Sequence, residues 1–288
     1  MLKHGSEVRI LSSPPITKGK NSMQLPLICR FALVSILFCF TSFVQAATKD
    51  CMFVLMHGKW GGPQSSYLKE LAKQVSTVCE VELREMPWSR NRNYDETYES
   101  ALNQLAGSVK GYRNKGFRLV FIGGQSFGAN AAMAYQAYIG DADAIIALAP
   151  GHSPSLMYER GMTGSDLDRA KKAIADGKPD TLISFTDLNQ GRQRDFKIRA
   201  DVFWSYFNPN GLGNMTLTAE QFKKSTPFMW VIGRLDPLYP SGSAYAFDRV
   251  PPNPNNTYVV VSADHATTPE EAAPQVLNWV KKVSTTKP

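Results

Sequence analysis

The stretch VFIGGQSFGANAAM, residues 120–133, contains the feature that decides the fold. An apolar run ends at Gly123 and Gly124, Ser126 follows, and Gly128 then opens a series of small residues. Residues 124–128 match the pattern G-x-S-x-G between a predicted strand and a predicted helix. A very sharp turn strains the backbone of its serine and crowds the residues on either side, and glycines relieve that crowding. The stretch therefore predicts a nucleophile at Ser126 whose oxygen points out of the edge of the sheet, and an ordinary tight turn is the alternative.

Apolar runs alternate with segments of helical periodicity along the rest of the chain. We predict six strands, at residues 52–56, 78–83, 117–122, 143–148, 226–232 and 257–262. They are mostly continuous hydrophobic runs, which is typical of strands that are buried on both faces. Their alternation with helices favours right-handed crossovers and a parallel sheet. The sequence thus predicts an α/β fold, a mostly parallel six-stranded sheet with helices on both faces.

One long segment, residues 151–225, interrupts this alternation. It contains a predicted polar helix near 165–175, a short strand near 182–185 and an aromatic cluster around Phe203–Phe207. Connections between elements are usually far shorter. We predict a cap-like insertion, which could be a decoration with its own small core or a lid or wall of a pocket.

A serine hydroxyl needs a general base and an acid that orients it. After residue 46 the chain has three histidines, of which His265 follows the last predicted strand. Asp236 follows the fifth predicted strand, so both residues lie at carboxyl ends of strands, where parallel sheets build their sites. We therefore predict a triad of Ser126, Asp236 and His265. His152 is the alternative base, and Asp187 is the alternative acid.

A tetrahedral intermediate also needs amide donors for its oxyanion. The backbone N–H of Phe127, directly after the serine, is one candidate. The other should come from the glycine-rich loop HGKWGG, residues 57–62, after the first strand. There we favour the N–H of Lys59 and keep that of Trp60 as second choice. The alternative is a glycine-rich turn that binds no ligand.

These motifs together resemble the α/β-hydrolase superfamily between about Cys51 and Val283. The matching segments are HGKWGG, GGQSFGA, GRLDP and ADH, in that order. The chain order Ser, Asp, His is the superfamily's order. The resemblance implies a minimal six-stranded version of the fold, as in cutinases and small lipases, with a cap inserted after the strand that follows the nucleophile.

The sequence predicts a serine hydrolase that cleaves a carboxylic ester through an acyl-enzyme intermediate. The same triad could instead serve an amidase, a peptidase or a thioesterase, and a non-catalytic binding protein on this fold is a further alternative. We predict no metal site and no cofactor. The expected partner is a small-molecule or lipid-like ester, and the protein is expected to be a monomer.

Aromatic and basic residues near the predicted site suggest substrate contacts. We predict Trp60 and Trp88 as substrate-binding residues, together with the aromatics of the insertion. All of these could equally be core residues. Arg90 and Arg92 could meet an anionic group or could be solvated loop residues.

The N-terminal region predicts export. Residues 23–46 have an arginine followed by an uncharged apolar run and then small residues, which is typical of a secretory signal peptide cut after Ala46. A membrane anchor is the alternative. Residues 1–22 do not fit a signal peptide, and we expect them to be a non-native extension before a true start at Met23. The hydrolase domain is then residues 47–288, periplasmic or extracellular in a bacterium, with no membrane anchor after cleavage.

The formal net charge of +7 overstates how basic the chain is after residue 46. Residues 1–46 contain five basic residues and one acidic residue, which leaves 27 basic and 24 acidic residues in the remainder. No dense Lys/Arg block occurs there, so we predict no nucleic-acid partner.

Two cysteines remain after residue 46, Cys51 and Cys79. Each lies near the start of one of two consecutive predicted strands. An exported protein meets an oxidising compartment, so we predict a disulfide between them. Two buried free thiols are the alternative.

Overall fold

A computed structural model describes residues 49–286. The predicted extension at 1–22 and signal peptide at 23–46 lie outside the described residues. Eight strands, β1 to β8 in chain order, run over Cys51–Met56, Glu80–Arg84, Leu119–Ser126, Ala144–Pro150, Leu182–Asn189, Arg192–Arg199, Phe228–Gly233 and Thr257–Val261. The strands β1–β4, β7 and β8 match the six predicted ones to within a few residues at their ends.

These six strands form one sheet in the order β2-β1-β3-β4-β7-β8. Every neighbouring pair in it is parallel. The predicted α/β class and six-stranded sheet are confirmed. Because all carboxyl ends meet at one edge, the loops after β1, β3, β4, β7 and β8 share that edge.

Nine α-helices, α1 to α9 in the described part of the chain, cover Ser66–Val75, Tyr98–Asn114, Phe127–Tyr138, Pro154–Glu159, Gly164–Ala175, Ala200–Phe207, Met215–Glu220, Thr268–Glu271 and Ala273–Thr286. Three short 3-10 turns lie between β7 and β8, at Tyr239–Ser241, Ser243–Tyr245 and Phe247–Arg249. The predicted last helix at 269–283 is divided into α8 and α9. None of the helices described here is both long and apolar enough to cross a membrane.

The four central strands of the sheet, β1, β3, β4 and β7, are buried on both faces, as their apolar sequences predict, whereas the edge strands β2 and β8 are only partly buried. Alternate residues of β1 belong to two different cores, Val54 to one and Phe53 to the other. The first core includes α2, α3 and the helices α5–α7 of the insertion, and the second includes α1 and α9. The helices therefore cover the two faces of the sheet.

The insertion at 151–225 has more structure than predicted. The short strand predicted at 182–185 is one arm of an antiparallel hairpin, β5–β6. Its second arm, RQRDFKIR, was not predicted because it has only two apolar residues, Phe196 and Ile198, which are its two buried positions. The insertion's buried aromatics belong to the same core as α2 and α3. The insertion therefore packs as part of the main body rather than around a core of its own.

A disulfide joins Cys51 in β1 to Cys79, just before β2, with the Cα atoms 4.7 Å apart. Since β1 and β2 are adjacent in the sheet, the two cysteines lie side by side at the amino ends of these strands.

Candidate active site

Ser126 lies at the junction of β3 and α3, in the middle of the sheet. Its backbone has φ 57° and ψ −114°, a conformation that is uncommon for residues other than glycine. A Cβ at Gly124 would lie 2.6 Å from the Met56 carbonyl oxygen, and one at Gly128 would lie 2.4 Å from the same atom. Both glycines are therefore required where β3 turns into α3 against the end of β1.

Asp236 and His265 come together at the same edge of the sheet. Asp236 follows β7, His265 follows β8, and His265 Nδ1 lies 2.7 Å from Asp236 Oδ2. Asp236 is almost fully buried, and its other oxygen accepts the backbone N–H of Leu238 at 2.8 Å. Since a carboxylate accepts, Nδ1 carries the hydrogen, which leaves Nε2 as the basic nitrogen of His265.

Gly151, directly after β4, marks the point where serine and histidine converge. A Cβ at this position would lie 2.7 Å from Ser126 Oγ and 3.5 Å from His265 Nε2. The absence of a side chain at Gly151 leaves the space between the hydroxyl and the imidazole open.

The alternative base, His152, is engaged elsewhere. Its Nε2 donates to the Tyr206 carbonyl oxygen at 2.8 Å, and its ring stacks on Phe127 with centroids 3.8 Å apart. Burial, reinforced by the charge of Lys59, holds the pKa of His152 well below its ordinary value. His152 is thus a neutral packing residue in the wall of the site.

The alternative acid, Asp187, does not contact His265 but forms a buried polar hub. Its carboxylate accepts from Lys59 Nζ at 2.6 Å, Trp60 Nε1 at 3.0 Å, Tyr94 OH at 2.9 Å and its neighbour's backbone, Leu188 N–H, at 2.8 Å. It is fully buried, so this ion pair lies in the protein interior. The hub ties the loop after β1 to the β5–β6 hairpin, a link that sequence spacing could not reveal.

The two candidate oxyanion donors in the loop after β1, the N–H groups of Lys59 and Trp60, differ in their hydrogen bonds. The Trp60 N–H donates to the Trp88 carbonyl oxygen at 2.9 Å and is therefore occupied. The amide of Lys59 has no backbone partner among residues 49–286. Phe127 is the first residue of α3, so its N–H is one of the helix's unsatisfied donors beside Ser126.

His57 stabilises this loop through hydrogen bonds of both its ring nitrogens. Its Nδ1 donates to the Gly58 carbonyl oxygen at 2.8 Å, and its Nε2 accepts the Met86 N–H at 3.0 Å. Burial lowers the pKa of His57, which keeps this tautomer neutral. Both ring nitrogens of this histidine of the HGKWGG motif are therefore bound to the backbone.

Two further polar residues close to Ser126 in sequence form hydrogen bonds around the candidate site, and neither was predicted. Gln125 donates from Nε2 to the His265 carbonyl oxygen at 2.9 Å, which fixes the histidine loop. Asn130 donates from Nδ2 to the carbonyl oxygens of His152 and Gly213, both at 2.7 Å. Their only sequence signal is a polar residue within an otherwise apolar or small-residue stretch.

Two clefts flank Ser126, each with a volume of about 400 Å³. The first cleft lies against α4 and includes apolar side chains, namely Leu156, Met157, Leu188 and Leu238. The second cleft lies against the loop after β1 and is mainly polar, with Trp60, Tyr67, Gln125 and Asn189 among its residues. The hairpin tip around Gln190 borders both clefts. The insertion therefore supplies walls of the site.

Trp88, one of the two tryptophans predicted to bind substrate, lines neither of these clefts. Trp88 is fully buried, stacks on Phe127 with centroids 4.4 Å apart, and donates from Nε1 to the His57 carbonyl oxygen. Phe203 and Phe207 are likewise fully buried and form core contacts. Only Trp60 of the two predicted tryptophans borders a cleft. Composition could not separate core from pocket, because both need aromatic side chains.

The two predicted arginines differ in their surroundings. Arg92 pairs with Asp95 and Glu96, whereas Arg90 borders the second cleft. Within residues 49–286 no group of three or more acidic, histidine or cysteine side chains could hold a metal ion.

No protein-family model and no curated protein sequence matches the chain. Solved structures do match it, each over 82% of this chain. A monoacylglycerol lipase of Paleococcus ferrophilus has a TM-score of 0.58 and 16% identity over 96% of its own chain. Est1E of Butyrivibrio proteoclasticus, solved with ferulic acid, has a TM-score of 0.56 and 14% identity over 90% of its chain. The α/β hydrolase GrgF of a Penicillium species has a TM-score of 0.58 and 14% identity over 90%. The chain therefore has the α/β-hydrolase fold.

Proposed function

We propose that the protein is a serine hydrolase that cleaves carboxylic esters. The observation that supports this most is the convergence of three groups at one sheet edge. His265 Nδ1 is paired with a buried Asp236 at 2.7 Å, and Ser126, in its strained turn, faces His265 across Gly151. That arrangement suits nucleophilic catalysis, and lipases and esterases among the solved structures share the fold.

In the proposed reaction His265 Nε2 takes the proton of Ser126 as its Oγ attacks the ester carbonyl. The amides of Lys59 and Phe127 hold the oxyanion, and each such donor is worth about 3 kcal/mol in the transition state. His265 then gives the proton to the departing alcohol. A water, deprotonated by the same nitrogen, releases the acid and restores Ser126.

We also propose that the protein works in an oxidising compartment outside the cytoplasm. The Cys51–Cys79 disulfide supports this, since disulfides persist there and are rare in reducing compartments. Cell fractionation of the native host tests it, and recovery of the protein with free thiols from the cytoplasm would contradict it.

Turnover of short p-nitrophenyl esters by the purified protein tests the reaction. We expect hydrolysis by the wild type and a loss of at least about 1,000-fold in kcat for Ser126→Ala and for His265→Ala. Glu270→Gln is the matched control in the segment after the histidine, because Glu270 is an exposed residue of α8. No turnover by the wild type, or equal turnover by Ser126→Ala, would exclude the proposal.

A further inference from the structure

The arginines of the protein are distributed unevenly between paired and unpaired positions. Of the twelve in residues 49–286, seven lie within 4 Å of a carboxylate, at positions 84, 92, 113, 118, 169, 199 and 249. Five have no such partner in that range, and three of these five border the clefts beside Ser126: Arg90, Arg160 and Arg192. Unpaired guanidinium groups are therefore concentrated around the proposed nucleophile.

The second cleft holds two of these guanidinium groups, Arg90 and Arg192. Both residues are exposed, and they belong to different elements, the loop after β2 and the start of β6. No acidic residue borders this cleft. Lys59 also reaches it, but Asp187 neutralises that charge at 2.6 Å. The charged side chains of this cleft that have no carboxylate partner are thus two arginines.

The first cleft is more apolar, although the third of these arginines, Arg160, borders it. Its acidic residue, Asp236, is already paired with His265, and leucine and methionine side chains form much of its wall. An ester that spans both clefts across Ser126 would place an apolar part in the first and a polar part in the second.

We infer that the second cleft is a subsite for a negatively charged group of the substrate, with Arg90 and Arg192 as its recognising side chains. The substrate is then an ester that carries a carboxylate or a similar anion on the portion away from its apolar end. Guanidinium groups suit this role because they stay charged and present several donors to a carboxylate. The inference rests on the proposed ester hydrolysis.

Three esters of one chain length test this inference. Phenyl hexanoate is neutral, 4-carboxyphenyl hexanoate carries the anion on the alcohol side, and monophenyl adipate carries it on the acyl side. Comparing each ester between wild type and variants cancels its intrinsic reactivity. The double variant Arg90→Gln, Arg192→Gln should lower kcat/KM for at least one anionic ester about three- to tenfold and for the neutral ester less than twofold. Whichever anionic ester responds identifies the side that carries the charge.

The matched control is the double variant Lys110→Gln, Lys171→Gln. It also removes two positive charges, but from exposed helix positions that line neither cleft. This control should leave the ratio of kcat/KM between each anionic ester and the neutral ester unchanged. Raising the salt to about 0.5 M should weaken the wild-type preference, since the Debye length then falls to about 4 Å.

Equal effects of the arginine variant on neutral and anionic esters, or an equal effect of the lysine control, would overturn the inference while leaving ester hydrolysis intact. Failure of the wild type to hydrolyse any of the three esters would instead overturn the proposed function, and the inference with it.

Discussion

At the scale of single residues, the geometry around Ser126 depends on positions where a methyl group would collide. Gly123 illustrates this, because the G-x-S-x-G pattern does not require it. A Cβ there would lie 2.6 Å from the Ile146 carbonyl oxygen and 3.0 Å from the Phe53 ring. This glycine lets β3 lie close to β4 just before Ser126, a reason that only the sheet register reveals.

Gly151→Ala should impair catalysis without unfolding the protein. The new methyl group would lie 2.7 Å from Ser126 Oγ and 3.2 Å from His265 Cε1, so the hydroxyl and the imidazole can no longer keep their present positions. A misplaced reacting group can cost about 100-fold in rate, and we expect a fall in kcat of that order with little change in melting temperature. Gly62→Ala in the loop after β1 is the control, since a Cβ there meets nothing within 4 Å. Full activity in Gly151→Ala would contradict the placement of the serine.

At the scale of elements, the loop after β1 owes its position to the β5–β6 hairpin. Asp187 in β5 binds the side chains of Lys59 and Trp60, and Asn189 Nδ2 donates to the Lys59 carbonyl oxygen at 3.1 Å. The proposed oxyanion donor is the backbone of Lys59, so its side chain can be changed without removing that amide.

Asp187→Asn should therefore lower both stability and kcat. It leaves the buried Lys59 charge unpaired, which typically costs 3–5 kcal/mol, and it loosens the proposed oxyanion loop. The double variant Lys59→Met, Asp187→Asn should regain much of the stability, because the unpaired charge is gone. Urea unfolding and ester turnover measure the two effects. A double variant no more stable than Asp187→Asn would show that the ion pair is not the source of the loss.

At the scale of the whole molecule, two neutral buried histidines make stability depend on pH. Burial lowers the pKa of His57 and, more strongly, that of His152 below the ordinary 6.5. Below pH 6.5 these two imidazoles bind protons more readily in the unfolded chain than in the folded protein. The free energy of unfolding must therefore fall on acidification. Above that pH both states are neutral at these sites, and the contribution is constant.

We expect the free energy of unfolding to be lower at pH 5.5 than at pH 7.5, with the larger part of the drop due to His152. Denaturant titrations at these two pH values measure it. His152→Gln keeps a donor for the Tyr206 carbonyl oxygen but cannot titrate, so its drop should be smaller than that of the wild type. An equal drop in both proteins would contradict the assignment of a lowered pKa to His152.

Much of the fold followed from local signals. The apolar runs predicted the central strands because strands buried on both faces are apolar, and the partly buried edge strand β2 has an alternating pattern instead. The segments that follow these strands place Ser126, Asp236 and His265 at one edge. The hairpin was missed in part because its second arm buries only alternate residues. The Asp187 hub and the burial of Trp88 depend on contacts between residues that are 128 and 31 positions apart, which no local pattern encodes.

The central claim is that Ser126 is the activated nucleophile of the molecule. Labelling with a fluorophosphonate probe, followed by intact mass and peptide mapping, tests it most directly. We predict one adduct per wild-type chain, located on Ser126, and none on Ser126→Ala, whose thermal unfolding should match that of the wild type. Equal labelling of Ser126→Ala, or an unlabelled wild type, would contradict the account.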